Sequence, residues 1–183
     1  MEKTIAPAVT PSMPKWIEFM FAREGWTEFD HDKELSKDWP LVGLDYKTVI
    51  GTSHAWCGME AYAALHFAGY KGPRGAAGAA NWRTWGDSCE WLCGAALPMR
   101  HASGGAHITF FLAWADRLKK LALCIGGNQN NAVRVSLYNL SGNRNGHDEV
   151  VNGPKLPHGY THNGYIYTPR PKDLALIPGG STR

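Results

Sequence analysis

The pattern of apolar and polar positions changes character along the chain. In the first part, apolar residues recur at helical spacing, at residues 16–21 and again at residues 56–67. Pro14 precedes the first run, and Gly25 and Gly69 follow the two runs, where helices commonly end. The pattern therefore predicts two helices in the N-terminal part, separated by polar and mixed sequence.

The second part of the chain predicts strands in series. After a short helix predicted at residues 77–85, the apolar period shortens to that of strands, and glycine- and asparagine-rich turns separate the runs. We predict strands at residues 95–101, 106–115, 118–125, 132–138 and 165–168. Helices followed by successive strands predict an α+β fold, in which N-terminal helices pack on an antiparallel sheet of about five to six strands.

The chain length and the remaining segments indicate one domain. The 183 residues fall within the size of a single domain. Residues 1–13 are rich in proline and lack periodicity, which predicts a flexible lead, and residues 171–183 are predicted to form a tail. Residues 14–170 form the predicted domain, and within it residues 139–163, rich in Asn, Gly, Pro and His, are expected to be a long surface loop.

Charge and hydropathy exclude several classes of protein. The net charge is +3 and no run of five lysines or arginines occurs. The sequence therefore lacks the basic cluster that is typical of nucleic-acid-binding proteins. No apolar run reaches about 18 residues, so no membrane insertion is expected. The start of the chain lacks the apolar core of a secretory signal, and we therefore expect synthesis in the cytoplasm without a signal peptide.

The four cysteines do not form a metal-binding pattern. Their spacing is irregular and contains no CxxC pair, which argues against a zinc ribbon. Histidines and acidic residues crowd residues 147–162, but their spacing fits no metal motif. We therefore predict no metal site.

One cysteine and one histidine are placed for nucleophilic chemistry. Cys57 begins the second predicted helix, where the helix dipole favours a thiolate, and the thiolate is the nucleophilic form. His107 begins a strand and could exchange the proton during acyl transfer. A third polar group must orient the imidazole, and Asn128 is predicted for that role, with Gln129 as the competing candidate. A cysteine opening a helix is more often a packing residue, so the prediction depends on the joint pattern.

Several residues near this pattern are candidates for substrate binding. Tryptophan commonly lines sugar and peptide clefts, and the chain has 8 of them. His54 lies three residues before Cys57 and could line the same cleft. The predicted substrate-binding residues are His54, Trp56, Trp85 and Gln129.

Five blocks of sequence together resemble a known family. They are WCGMEA at 56–61, AGYKG at 68–72, WRTWG at 82–86, GAHITF at 105–110 and GGNQNNAV at 126–133. In this order they resemble the NlpC/P60 and CHAP group of cell-wall cysteine peptidases, and within it the compact subfamily common in phage lysins. The resemblance covers residues 14–167.

The resemblance implies a papain-like fold, no cofactor, and hydrolysis of an amide in bacterial peptidoglycan. It implies Cys57 as nucleophile, His107 as base and Asn128 as the third polar residue. The chain departs from the family pattern at residues 93–98, where the usual Pro-Gly-Asp entry to the first strand is absent, and in the long 139–163 loop. The bond cut therefore stays open between an N-acetylmuramoyl-L-alanine amidase and a stem-peptide endopeptidase.

Three biological settings follow from the resemblance. The first is a monomeric phage endolysin that reaches the wall in the periplasm after holin-mediated release. The second is an amidase toxin delivered by a secretion system, for which we expect a tight immunity protein as partner. The third is a non-catalytic wall-binding or virion protein that has kept the fold.

Overall fold

Helices and an antiparallel sheet make up the computed structural model, which describes residues 10–51, 55–142 and 146–176. Its helices are α1 (Lys15–Ala22), α2 (Asp32–Leu35), α3 (Cys57–Phe67) and α4 (Pro171–Leu174), with 3-10 helices at Ser36–Val42 and Ala79–Thr84. Its strands are β1 (Asp87–Ser88), β2 (Ala96–Arg100), β3 (Ala106–Asp116), β4 (Leu121–Gly126), β5 (Arg134–Asn139), β6 (Glu149–Val150) and β7 (Lys155–Leu156). The predicted combination of helices and antiparallel strands is confirmed.

The sheet is built on four consecutive strands that run up and down. Its order is β1-β7-β2-β3-β4-β5, and β6 pairs with β2 beside this path. The described residues contribute seven strands, more than the five to six expected, because three of the strands have only two residues each. Two residues are too few to show an alternating pattern, so these strands could not be seen in the sequence.

Strand β3 is the centre of the sheet and carries the catalytic histidine candidate near its start. It is 11 residues long and pairs with β2 on one side and β4 on the other. In the register with β2, Met99 lies opposite His107. A shift of register between Phe111 and Ala113 bends its second half.

Helices α1 and α3 cover the sheet with apolar side chains. In α1, the fully buried residues are Trp16, Ile17 and Met20, and each such side chain contributes about 1.5–3 kcal/mol relative to exposure. Helix α3 is buried on most sides, and small residues let its first turn approach its neighbours closely. A β-carbon at Gly58 would lie 2.2 Å from the Ala76 carbonyl oxygen, so only glycine fits there.

Four segments differ from the sequence prediction. Residues 139–163, predicted as a long surface loop, contain β6 and β7. The polar stretch between the first two predicted helices contains α2 and a 3-10 helix. Residues 165–168, predicted as a strand, form none. Residues 171–174, expected to belong to a tail, form α4, and the start of this helix is anchored where Arg170 makes two hydrogen bonds to Glu24, at 2.6 and 2.8 Å. Residues 177–183 and most of the predicted lead, residues 1–9, lie outside the described residues.

Across the described ranges, none of the helices has the length and apolar character that crossing a membrane requires. All four cysteines are free thiols.

Candidate active site

The thiol of Cys57 lies between the start of α3 and strand β3. Cys57 is the first residue of α3, and its side chain is 3% exposed. The backbone of Ile108, the residue that follows His107 in β3, lies near enough to the thiol to influence its pKa, as do the backbone groups of Gly58 and of Cys57 itself. The helix start and the histidine strand, predicted from the sequence as separate elements, therefore meet at this sulfur.

Burial controls the charge of this thiol. Removal from water raises the pKa of Cys57 above its ordinary value, and the backbone hydrogen bonds from Ile108, Gly58 and Cys57 only partly oppose that effect. The thiol is therefore neutral when the site is at rest.

His107 has one ring nitrogen facing an amide oxygen. Its side chain is 2% exposed, and its Nε2 lies 3.5 Å from Oε1 of Gln129, a long hydrogen bond. An amide oxygen only accepts hydrogen bonds, so Nε2 carries the proton and Nδ1 carries the lone pair. The Gln129 amide thus selects the tautomer in which Nδ1 can act as a base.

A buried network fixes the orientation of the Gln129 amide. Its Oε1 accepts hydrogen bonds from the Thr109 hydroxyl at 2.8 Å and from the Tyr138 hydroxyl at 3.0 Å. Its Nε2 donates to the Arg134 carbonyl at 2.5 Å and to the Ser136 hydroxyl at 3.1 Å. The two hydroxyls near Oε1 could accept as well as donate, but the Arg134 carbonyl can only accept, so a flipped amide would set two oxygens against each other there. This contact keeps the amide oxygen toward His107.

Two glycines allow the turn that carries Gln129 to lie close to its neighbours. A β-carbon at Gly126 would lie 2.8 Å from the Thr109 hydroxyl and 2.9 Å from Oε1 of Gln129. A β-carbon at Gly127 would lie 2.6 Å from the β-carbon of Glu60 in α3. The Gly-Gly pair therefore lets the turn after β4 approach both the strand and the helix that carry the site.

Asn128 occupies the turn rather than the position next to His107. Its backbone is left-handed, with φ of 54°, a conformation that asparagine tolerates better than most residues. Nε2 of His107 donates instead to the amide oxygen of the following residue, Gln129, the competing candidate in the sequence. Because neighbouring turn residues point in different directions, the left-handed step at Asn128 determines which of the two amides reaches the histidine.

His101 and Asp148 lie beside His107, and the predicted site residues did not include them. The rings of His101 and His107 have centroids 5.5 Å apart, and Nδ1 of His101 lies 3.1 Å from Oδ1 of Asp148. Burial, followed by the charge of His101, lowers the pKa of His107 to about 3, while the Gln129 hydrogen bond and the Asp148 charge oppose the shift. His107 is therefore neutral at rest, like the thiol of Cys57.

Glu60, in the first turn of α3, forms a buried ion pair with Arg23. Its carboxylate is fully buried and lies 3.1 Å from the Arg23 guanidinium, which also pairs with Asp38. Burial raises the pKa of Glu60 to about 7, and the Arg23 charge opposes that rise. The contact ties the first turn of α3 to Arg23, which directly follows α1.

The predicted substrate-binding residues fall in different surroundings. Trp56 is fully buried, and its indole N–H points to Glu28 at 3.4 Å, so it is a core residue that presents no surface to a substrate. Trp85 is also buried, and its indole N–H donates to the Lys71 carbonyl at 2.9 Å. Gln129 orients His107, as described above. His54 lies outside the described residues.

No group of three or more His, Cys, Asp or Glu side chains that could hold a metal ion occurs in residues 10–51, 55–142 or 146–176. Compared with family models, curated proteins and solved structures, the chain has no significant match. The case for a function therefore depends on the side chains around Cys57 and His107.

Proposed function

We propose that the protein is a cysteine hydrolase that cleaves an amide bond in bacterial peptidoglycan, with a papain-like arrangement of the NlpC/P60 and CHAP type. One observation carries the proposal. The thiol of Cys57, at the first residue of α3, lies near the backbone of β3 beside His107, and the Gln129 amide oxygen accepts the hydrogen bond from Nε2 of that histidine. Nucleophile, base and orienting group are thus supplied by α3, β3 and the turn after β4.

The chemistry starts from a neutral pair. Nδ1 of His107 takes the proton from the Cys57 sulfur as the sulfur attacks the carbonyl carbon of the scissile amide. A sulfur–carbon bond forms, and the carbonyl electrons move to oxygen. Backbone N–H groups at the start of α3, including that of Cys57, stabilise this oxyanion.

The tetrahedral intermediate then collapses to a thioester. The carbon–nitrogen bond breaks, and the His107 imidazolium returns its proton to the leaving amine. Neutral His107 next removes a proton from water, whose oxygen attacks the thioester and releases the acid, and sulfur recovers the proton. No cofactor takes part, and each step moves one proton through Nδ1.

The burial of the pair shapes this mechanism. Because removal from water disfavours both the thiolate and the imidazolium, charge separation accompanies attack on the substrate and does not precede it. A substrate that covers the site excludes further water, which strengthens the hydrogen bonds to the developing oxyanion.

Peptidoglycan as substrate is supported by the five sequence blocks, three of which contribute directly to the site. The block 56–61 supplies the thiol, the block 105–110 supplies His107, and the block 126–133 supplies the two glycines and Gln129. The setting we favour is a monomeric phage endolysin, which would meet the wall after release from the cytoplasm.

Digestion of purified sacculi, followed by mass spectrometry of the fragments, tests the proposal and identifies the bond. Sugar-free peptides with a new N-terminal alanine identify an amidase, and cut stems still attached to sugar identify an endopeptidase. Intact sacculi after prolonged digestion would contradict both forms of the proposal.

The burial of Cys57 favours a second candidate, a wall-binding protein without catalysis. A thiol that is 3% exposed and neutral could simply be a packing residue. This candidate predicts that the protein sediments with sacculi without releasing fragments, and that Cys57→Ala binds as well as the wild type.

A further inference from the structure

The pairing of β6 with β2 brings two titratable side chains beside the histidine. Arg100 in β2 lies opposite Glu149 in β6, so the next residues along these antiparallel strands, His101 and Asp148, also meet. Oδ1 of Asp148 accepts hydrogen bonds from Nδ1 of His101 at 3.1 Å and from the Ala102 backbone N–H at 3.3 Å. Asp148 therefore fixes the His101 ring beside that of His107.

The two imidazoles differ in their access to solvent. The side chains of His101 and Asp148 are 11% and 22% exposed, whereas His107 is 2% exposed. His101 is thus the more solvent-accessible of the two imidazoles. The polar side chains that act on His107 come from the ends of β2 and β6, from β5 and from the turn after β4: His101, Asp148, Tyr138 and Gln129.

Two of these groups act on His107 through their charge, and in opposite directions. The negative charge of Asp148 stabilises an imidazolium at His107, and a positive charge on His101 destabilises it. With His101 neutral the pair carries one negative charge, and with His101 protonated it carries none. The pair therefore stabilises the His107 imidazolium while His101 is neutral, and this stabilisation is lost when His101 is protonated.

We propose that His101 and Asp148 form a pH-sensitive positioning pair for His107, which assists proton transfer from Cys57 while His101 is neutral and withdraws that assistance when His101 is protonated. This inference depends on the proposed role of His107 as the base for Cys57. It adds two residues that touch no substrate and act through His107.

The test uses the rate at which iodoacetamide alkylates Cys57, measured against pH by mass spectrometry of the Cys57 peptide. This rate reports how readily the thiol loses its proton as the sulfur attacks the reagent, and it needs no peptidoglycan. The variants are Asp148→Asn, His101→Gln and the conservative Asp148→Glu. The chain offers two matched controls: Glu149→Gln, an acid paired with Arg100 at 3.7 Å, and His158→Gln, from an exposed pair with Asp87 at 2.8 Å.

Asp148→Asn is expected to slow alkylation of Cys57 at neutral pH by about three- to tenfold, since one pKa unit of imidazolium stability is tenfold. Asp148→Glu should restore part of the rate. His101→Gln keeps the carboxylate but cannot be protonated, so alkylation should persist to lower pH than in the wild type. The two controls should follow the wild-type profile.

Profiles for Asp148→Asn and His101→Gln that coincide with those of the two controls would overturn the inference. Thermal melting shows whether each variant is folded, and a merely structural role would change stability without moving the acid limb. If both variants digest sacculi with the acid limb of the wild type, the proposed hydrolase activity stands and the role of the pair is refuted. If the variants shift the alkylation profile but the protein digests no sacculi, the role of the pair stands and the hydrolase activity is refuted.

Discussion

The Nε2 atom of His107 lies 3.5 Å from Oε1 of Gln129, and this contact sets which imidazole nitrogen is free to act. Four further hydrogen bonds, to residues of β3 and β5, hold the Gln129 amide. The sheet therefore fixes the orientation of the histidine through this amide. The contact separates two neighbouring residues, Asn128 and Gln129, that the sequence presented as alternatives.

Replacing Gln129 by Leu should lower hydrolysis by about a hundredfold, because the imidazole loses the group that holds its tautomer and orientation. Initial rates of fragment release from sacculi measure the effect. Asn128→Gly is the matched control, since glycine adopts the left-handed backbone with φ of 54° without strain. A larger loss in Asn128→Gly than in Gln129→Leu would contradict the assignment.

Gly127→Ala should destabilise the protein by about 1–3 kcal/mol, because the new methyl group would overpack the contact with Glu60 in α3. Urea unfolding measures the change. An unchanged free energy of unfolding in Gly127→Ala would show that close approach at Gly127 is unimportant.

Part of the free energy of unfolding should depend on pH through the ionisation of Asp173. Burial opposes its ionisation, but hydrogen bonds from Arg170 and Tyr167 prevail and lower the pKa of Asp173 to about 2. A carboxyl with a lowered pKa in the folded state contributes stability above its unfolded value of about 3.9, and that contribution is lost as pH falls through 2. Asp173→Asn should therefore weaken the fold by about 2 kcal/mol at neutral pH.

Unfolding free energies measured from neutral pH downward test the Asp173 prediction. The wild-type and Asp173→Asn curves should converge in acid, since protonation removes the same charge as the substitution does. A constant difference between the two curves at all pH values would contradict the role given to ionised Asp173.

The parts of the site that depend on local periodicity could be predicted from the sequence. The helix that begins at Cys57 and the strand that carries His107 follow from apolar spacing and glycine positions. The choice of Gln129 could not be predicted, because it depends on one left-handed residue in a turn. Asp148 could not be found either, because a two-residue pairing between β6 and β2 brings it to His101.

Trp56 and Trp85, predicted to bind substrate, lie in the core. Trp56 precedes Cys57 in sequence, which suggested a cleft wall, but its side chain lies in the core with its indole N–H toward Glu28. Residues next to a nucleophile in sequence point in different directions around a helix start, so sequence proximity does not imply exposure to substrate.

Release of fragments from purified sacculi by the wild type and by Cys57→Ala tests the central claim most directly, with Cys89→Ala as the control for loss of a thiol outside the site. The account predicts soluble wall fragments from the wild type and from Cys89→Ala, and none from folded Cys57→Ala. Release by Cys57→Ala at the wild-type rate would show that the Cys57 thiol is not the nucleophile.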